Sequence, residues 1–309
     1  MNTKTIATKR GMRTRSKVKG ETPWRRAARE FAESKVALAG LLIFGLIVFA
    51  AIFASWLAPQ NPYDLNQLDI LDGTLPPGSP AAAGYTYLLG TDPQGRDMLS
   101  GILYGLRISL GIGVGSAVVA CLIGALLGLV AAYSGPRVEA TLMRLVDLQL
   151  SFPSILVALM ILAVLGKGIG NVMIALVLVE WAYYARVARA SALVERSREY
   201  IEAAECLAIP KWRVIAKHLF PNCLPPLIVI ATMQISRAIA LEATLSFLGL
   251  GVPVTEPSLG LLISNGYTQM LSGQYWISFY PGIALLVTIV SINLVGDQLR
   301  DILNPRNQK

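Results

Sequence analysis

Three ionisable residues, Glu180, Arg237 and Glu242, lie in stretches that are otherwise strongly apolar. A charge in such surroundings is costly, so each should face a cavity, a subunit boundary or a group of opposite sign. Arg237 and Glu242 are five residues apart, off a common helical face, which argues against a direct pair between them. For both, a translocation pathway or a subunit boundary is the expected setting. Glu180 lies nearer the end of its stretch, where it could snorkel or pair with Arg186 or Arg189. A second concentration of polar chemistry is the segment 202–221, EAAECLAIPKWRVIAKHLFP, which separates two apolar runs. Catalytic chemistry finds no support. Gly166-Lys167-Gly168-Ile169-Gly170 has the wrong order for a phosphate-cradling loop, and His218 is the single histidine. Cys121, Cys206 and Cys223 form no CxxC pair and no ligand cluster, so neither a metal nor a cofactor is expected.

The elements that position these residues follow from composition. The 309 residues are 54% hydrophobic and 15% charged. Soluble domains carry about a quarter charged residues, so lipid is the expected solvent for most of the chain. Val36–Ala58 is an uncharged run, too long for the apolar part of a signal peptide. It is long enough to cross a hydrocarbon core of ~30 Å. Leu110–Tyr133, Phe152–Leu165 (with a polar start near Val138), Ile169–Tyr184, Leu224–Leu250 and Phe279–Val295 complete a set of six spans. The fold class is thus all-α and multi-pass. Gly111xxxGly115 and Gly124xxxGly128 could bring the second span close to a neighbour.

Cation placement gives the orientation. The N-terminal tail, the loops 134–151 and 185–222 and the C-terminus hold all of the 27 Lys and Arg residues except Arg96, Arg107, Lys167 and Arg237. By the positive-inside rule this bias puts both termini in the cytoplasm. The basic tail reads as a membrane flank, with lipid rather than nucleic acid as its partner. Five divisions result: a basic segment 1–35, a first span 36–58, an outer loop and resumed helix 59–105, a core 106–296 that includes the cytoplasmic loop 185–222, and a tail 297–309. In the outer loop, Asp92 is expected to cap a helix that starts at Pro93.

In the cytoplasmic loop, Ile201, Ala204 and Ala208 recur at i, i+3, i+7 and predict a small-residue helical face beside Glu202 and Glu205. Pro210 can open a second helix, in which Trp212, Ile215, Ala216 and Leu219 form an apolar stripe opposite Lys211, Arg213 and Lys217. Pro221 and Pro225 should break the chain before the fifth span. Such a hairpin could dock a soluble partner, or it could lie flat on lipid headgroups.

The run Glu202, Ala203, Ala204, followed by a short helix and Pro221, resembles the EAA loop of permease subunits of bacterial ABC importers. In that pattern a glycine stands six residues after the glutamate. Here Ala208 takes its place, and because alanine tolerates positive φ poorly the bend is expected at Ile209–Pro210 instead. HLFPN (218–222), LLGTDPQGRDMLSGILYGLRISL (88–110), LEATLSFLGLGVP (241–253) and GDQLRDILNPR (296–306) are similar to the C-type permeases of the dipeptide/oligopeptide/nickel branch. Gln298 and Asn304 depart from the commoner Gly and Asp.

The resemblance spans roughly residues 30–306 and implies a type I importer fold. Its implied partners are a homologous B-type permease, two cytoplasmic ABC ATPases and an extracytoplasmic substrate-binding protein. A coupling helix near Ala208–His218 would seat on one ATPase, with Glu202, Ala203, Ala204, Ala208, Pro210, Trp212 and Pro221 as the coupling residues. The implied cargo is a small peptide, with nickel chelates, glutathione or another peptide-like solute as alternatives. A secondary transporter or channel is the competing class, but it commonly shows internal repeats around a midplane site, and none is visible here.

Overall fold

In the computed structural model, described for residues 23–64, 68–81, 84–253 and 255–303, the chain is helical almost throughout. The basic residues Lys4–Lys19 and the C-terminal Arg306 and Lys309 lie outside the described residues. A helix α1 (Pro23–Glu33) leads into α2 (Lys35–Ile52). Ser34 caps α2 by accepting from the Ala37 amide at 3.3 Å. The first apolar run is not one helix: it bends at Phe53 and ends in a short α3 (Ala54–Leu57). The long loop after it carries a two-residue hairpin, Ser79–Pro80 with Thr86–Tyr87.

The helix after this loop does not begin at Pro93. Asp92 instead closes a turn: it accepts from the Gln94 and Arg96 amides at 2.9 Å each and from the Arg96 side chain at 2.6 Å. Gly95 within that turn takes φ +75°. The cap is Asp97, five residues on. Its carboxylate accepts from the Ser100 amide at 2.8 Å and the Ser100 hydroxyl at 2.6 Å. Burial pushes the Asp97 carboxyl above its ordinary range, and the Ser100 hydrogen bonds work against that rise.

From this cap α4 (Met98–Tyr133) runs 36 residues. At ~1.5 Å per residue that is ~54 Å, longer than a hydrocarbon core. Pro136–Ser151 forms α5 and Ser154–Leu165 forms α6, and the two meet at an angle of 91°. The expected single third span is therefore broken. Pro153 cannot donate the amide that would continue α5, and Phe152 before it is extended, as residues preceding proline tend to be. The remaining elements are α7 (Ile169–Arg196), α8 (Glu199–Cys206), α9 (Lys211–Val214), a π turn (Ile215–Leu219), α10 (Phe220–Phe247), α11 (Leu259–Tyr267) and α12 (Trp276–Leu303). By length and composition five of the described helices can cross a membrane, and six spans result if the bent α5–α6 pair is one.

The core is built on α4 against α7. A Cβ placed on Gly124 would lie 2.6 Å from the Tyr184 Cβ, and one on Gly128 would lie 2.7 Å from the Ala188 Cβ. The second glycine pair is thus a packing seam between backbones. Gly111 of the first pair meets nothing within 4 Å, so that pair does not form a comparable seam. Two ion pairs, Arg186–Asp147 at 2.5 Å and Arg189–Glu139, then fix α5 across the end of α7.

Gly128→Val should force α4 and α7 apart and destabilise the protein by about 1–3 kcal/mol, in the range of overpacked cores. The expected readout is a lower unfolding temperature in detergent, with Gly111→Val close to wild type.

Candidate functional site: a helical elbow and the charges between the helices

The elbow between α7 and α10 grows directly out of two long helices. After Arg196 the chain turns through Ser197 and Arg198 into α8. At its end the Ile209 amide donates to the Ala204 carbonyl at 3.2 Å. Ala208 sits between them at φ +53°. This is the hydrogen bond of a left-handed helix stop, normally a glycine's position. The expected shift of the bend to Ile209–Pro210 does not occur. Alanine takes the left-handed conformation itself, at a cost of about 1–2 kcal/mol.

Pro210 then opens α9, its carbonyl accepting from the Arg213 amide at 2.9 Å and the Val214 amide at 3.2 Å. Pro221 and Pro225 do not break the chain. The π turn Ile215–Leu219 immediately precedes Pro221, and the Phe220 amide donates to the Ile215 carbonyl. This wider i→i+5 bonding accommodates the missing donor. Helical structure therefore continues from Lys211 to Phe247.

The faces of the elbow also differ from the expected stripes. Ile201 and Ala204 are buried, and with Val214, Leu219, Cys223 and Leu227 they pack against Leu129, Tyr133, Tyr184, Ala188 and Ala192 of α4 and α7. Ala204 is thus an inward anchor, whereas the spacing alone predicts a partner-facing position. The outward surface carries Glu202, Ala203, Leu207, Ala208, Pro210, Trp212 and Pro221, with Leu207 75% and Trp212 65% exposed. Arg213 lies over the Trp212 ring at 5.3 Å.

A side-chain latch closes the base of the elbow. Tyr200 donates to Glu195 at 2.6 Å, and the Asn222 amide donates both to the Tyr200 oxygen at 3.1 Å and to the His218 carbonyl at 2.7 Å. Burial first, then the hydrogen bond and charge of Glu195, push the Tyr200 phenol up to about 12, so the donor stays protonated at neutral pH. The Arg196 side chain crosses to the Ala132 carbonyl at 3.0 Å and lies over the Tyr133 ring, tying the end of α7 to the last turn of α4.

The three intramembrane charges divide into different settings. Glu242 is fully buried. Ser109 of α4 donates to one of its oxygens at 2.8 Å and Ser246 to the other at 2.7 Å. Ser109 in turn accepts from the Leu259 amide at the start of α11. In this conformation Glu242 faces neither an open pathway nor an exposed boundary. It knots α4, α10 and α11 together.

Glu180 pairs with neither Arg186 nor Arg189, which Asp147 and Glu139 occupy. It is buried, and neither carboxyl oxygen has a hydrogen-bond partner among the described residues. Arg237 is exposed, its guanidinium 4.5 Å from the Tyr183 ring and 3.5 Å from the Ser154 hydroxyl. Spacing and composition do not reveal Tyr183, Ser154 or α11 as parts of these settings. The signal for α11 is Ser258, whose hydroxyl accepts from the Leu261 amide ahead of a short apolar run.

The elbow is thus an exposed helical segment packed on two long apolar helices. Residues 124–309 match the family described as "Binding-protein-dependent transport system inner membrane component", and residues 22–77 match "N-terminal TM domain of oligopeptide transport permease C". The di/tripeptide transport system permease protein DppC of Pseudomonas aeruginosa is 40% identical over 92% of this chain and 93% of its own. The dipeptide transport system permease protein DppC of Escherichia coli is 39% identical over 92% of this chain and 94% of its own. A chain of the MetNI methionine ABC transporter, solved in inward-facing conformations, superposes with a TM-score of 0.55 at 20% identity, covering 66% of this chain and 97% of that one; it shares the fold.

The chain belongs to the binding-protein-dependent transport system inner membrane component family. It is a multi-pass translocation subunit of an ABC importer and not an enzyme.

Two outcomes are expected from this geometry. Ala208→Gly should relieve the left-handed strain and stabilise the elbow by up to about 1 kcal/mol, whereas Ala208→Val should destabilise it. Thermal unfolding or protease resistance of the loop reads the difference. Glu242→Ala should strand the Ser109 and Ser246 hydroxyls and cost about 1–3 kcal/mol, with Glu242→Gln milder because it keeps an acceptor. Unfolding temperatures of the purified variants check both.

Proposed function

We propose that this chain is the C-type permease of a peptide importer in the bacterial cytoplasmic membrane, forming half of the pathway for di- and oligopeptides. Its proposed partners are a homologous B-type permease, two cytoplasmic ABC ATPases and an extracytoplasmic substrate-binding protein. Both termini would lie in the cytoplasm, as would the elbow. The observation that carries the reading is the elbow itself. Its inner face is locked into the α4–α7 core, while Ala203, Leu207 and Trp212 are held outward beside Glu202 and Arg213. An apolar patch with a charged rim, held on a rigid base, suits a cleft in a soluble motor subunit. The peptide assignment draws on the relatives described above, which are named as di/tripeptide and dipeptide transport permeases.

Mechanically, nucleotide-driven closure of the ATPases would displace the elbow and, through it, α7 and α10. The ATPases can bias the membrane-spanning equilibrium only as far as they contact its two states differently. Pro210 and the π turn keep the elbow continuous with α10, so a displacement there reaches the span without a flexible joint.

A cysteine at Trp212 or Leu207 should crosslink to an ATPase subunit, with a yield that changes when nucleotide is bound. Trp212→Ala should lower peptide-stimulated ATP hydrolysis and uptake together by about tenfold, the effect of losing an aromatic anchor, while membrane insertion is unchanged. Crosslinks to lipid alone would put the elbow on the headgroups and overturn the docking assignment.

A further inference from the structure

We infer that Arg237, framed by Tyr183 and Ser154, is a midplane site for the carboxylate of the transported solute. The inference rests on the peptide-importer reading above and names the group that this chain would hold.

Depth is the first observation. The α6–α7 turn packs beside the end of α10, the Gly168 amide donating to the Gly251 carbonyl at 3.3 Å, so the ends of these helices share a level. Counted from that level, Ser154 is eleven residues below Leu165, and Arg237 is ten below Phe247. At ~1.5 Å per residue both lie ~15–17 Å from that level, about half the thickness of a ~30 Å core.

The second observation is the state of the charge. Arg107 and Arg196 give their guanidinium groups to backbone carbonyls, and Arg186 and Arg189 give theirs to carboxylates. Among the described residues Arg237 has neither kind of acceptor. It has the Tyr183 ring and one long contact to Ser154, which leave most of its five donors open. Glu180 lies behind it, close enough to interact electrostatically yet sharing no hydrogen bond with it, and is buried too deeply to meet a solute.

The third observation is the surface. Met233, Arg237 and Thr244 lie on one exposed face of α10. An open guanidinium at mid-depth is incompatible with lipid. The face must border water and solute, or an acid of another subunit. The planar, permanently charged fork suits a carboxylate, which it can hold with two parallel hydrogen bonds. Tyr183 keeps the fork in place through its ring and leaves the outward donors open, an arrangement that would be unnecessary for a constitutive ion pair. The end carboxylate is the anion every unmodified peptide carries whatever its side chains, so a site for it would serve a mixture of cargoes.

The test uses the complete transporter with its binding protein in proteoliposomes supplied with ATP. Uptake of trialanine is compared with that of trialanine amide, each at saturating concentration. The binding protein is the same throughout, so its own preference cancels when wild type and variant are compared. Arg237→Gln should reduce trialanine uptake by about tenfold or more relative to the amide, the loss expected for charge-assisted hydrogen bonds, and Arg237→Lys should retain part of the preference. Equal loss for both peptides would overturn the inference. So would failure of both variants to retain the partner subunits, which would assign Arg237 to an ion pair across the subunit boundary. If the wild-type transporter carries neither peptide, the peptide reading itself fails, a result distinct from either of these.

Discussion

The close approach of α4 and α7 is the constraint on which the other features rest. Two glycines one turn apart let the backbones meet where any side chain would hold them off. Because they meet, Tyr184, Ala188 and Ala192 form a floor continuous with Leu129 and Tyr133, and Ile201, Ala204, Val214 and Leu219 of the elbow settle on that floor. A wider spacing would leave the elbow without a base. The same contact lets Arg196 reach the Ala132 carbonyl, where the emerging end of α4 would otherwise leave acceptors open.

This arrangement makes the elbow part of the membrane core in the energetic sense. Its inner face buries apolar side chains shared with the helices, and the Tyr200–Glu195–Asn222 latch closes its base. Force applied at Trp212 therefore meets no soft loop before it meets α10. The π turn keeps the chain helical into α10, and the left-handed Ala208 ends α8 ahead of Pro210 and α9. Rigid connection is what allows a small differential contact at one end to bias two states at the other.

Much of this architecture is legible in the chain. The apolar runs mark the spans, and EAA with its spacing marks the elbow. Other features are not legible, and in four of them the physical reason is plain. The cap of α4 goes to Asp97 because Arg96 and Gly95 engage Asp92 in a turn, a tertiary choice that capping preference alone does not foresee. Ala208 adopts a conformation its side chain disfavours because burial of Ile201 and Ala204 over-determines the turn. Periodicity finds the apolar positions of the elbow but not which of them face inward, since both the core and a partner reward the same residues. The prolines at 221 and 225 read as breaks because a π turn that absorbs one leaves no signature in composition.

The two glutamates and the arginine show why an intramembrane charge cannot be assigned from position alone. Glu242 and Arg237 are separated by little more than one turn of α10, yet one is sealed and the other open. Glu242 falls on the side where Ser109 and Ser246 supply hydroxyl donors from two directions, so its burial is compensated and it serves to hold three helices together. Arg237 falls on an exposed side, where its neighbours are the Tyr183 ring and Ser154, the first residue of α6 after the break at Pro153. The break at Pro153 that lays α5 against α7 thus also sets the start of α6, and with it the Ser154 hydroxyl, beside that cation.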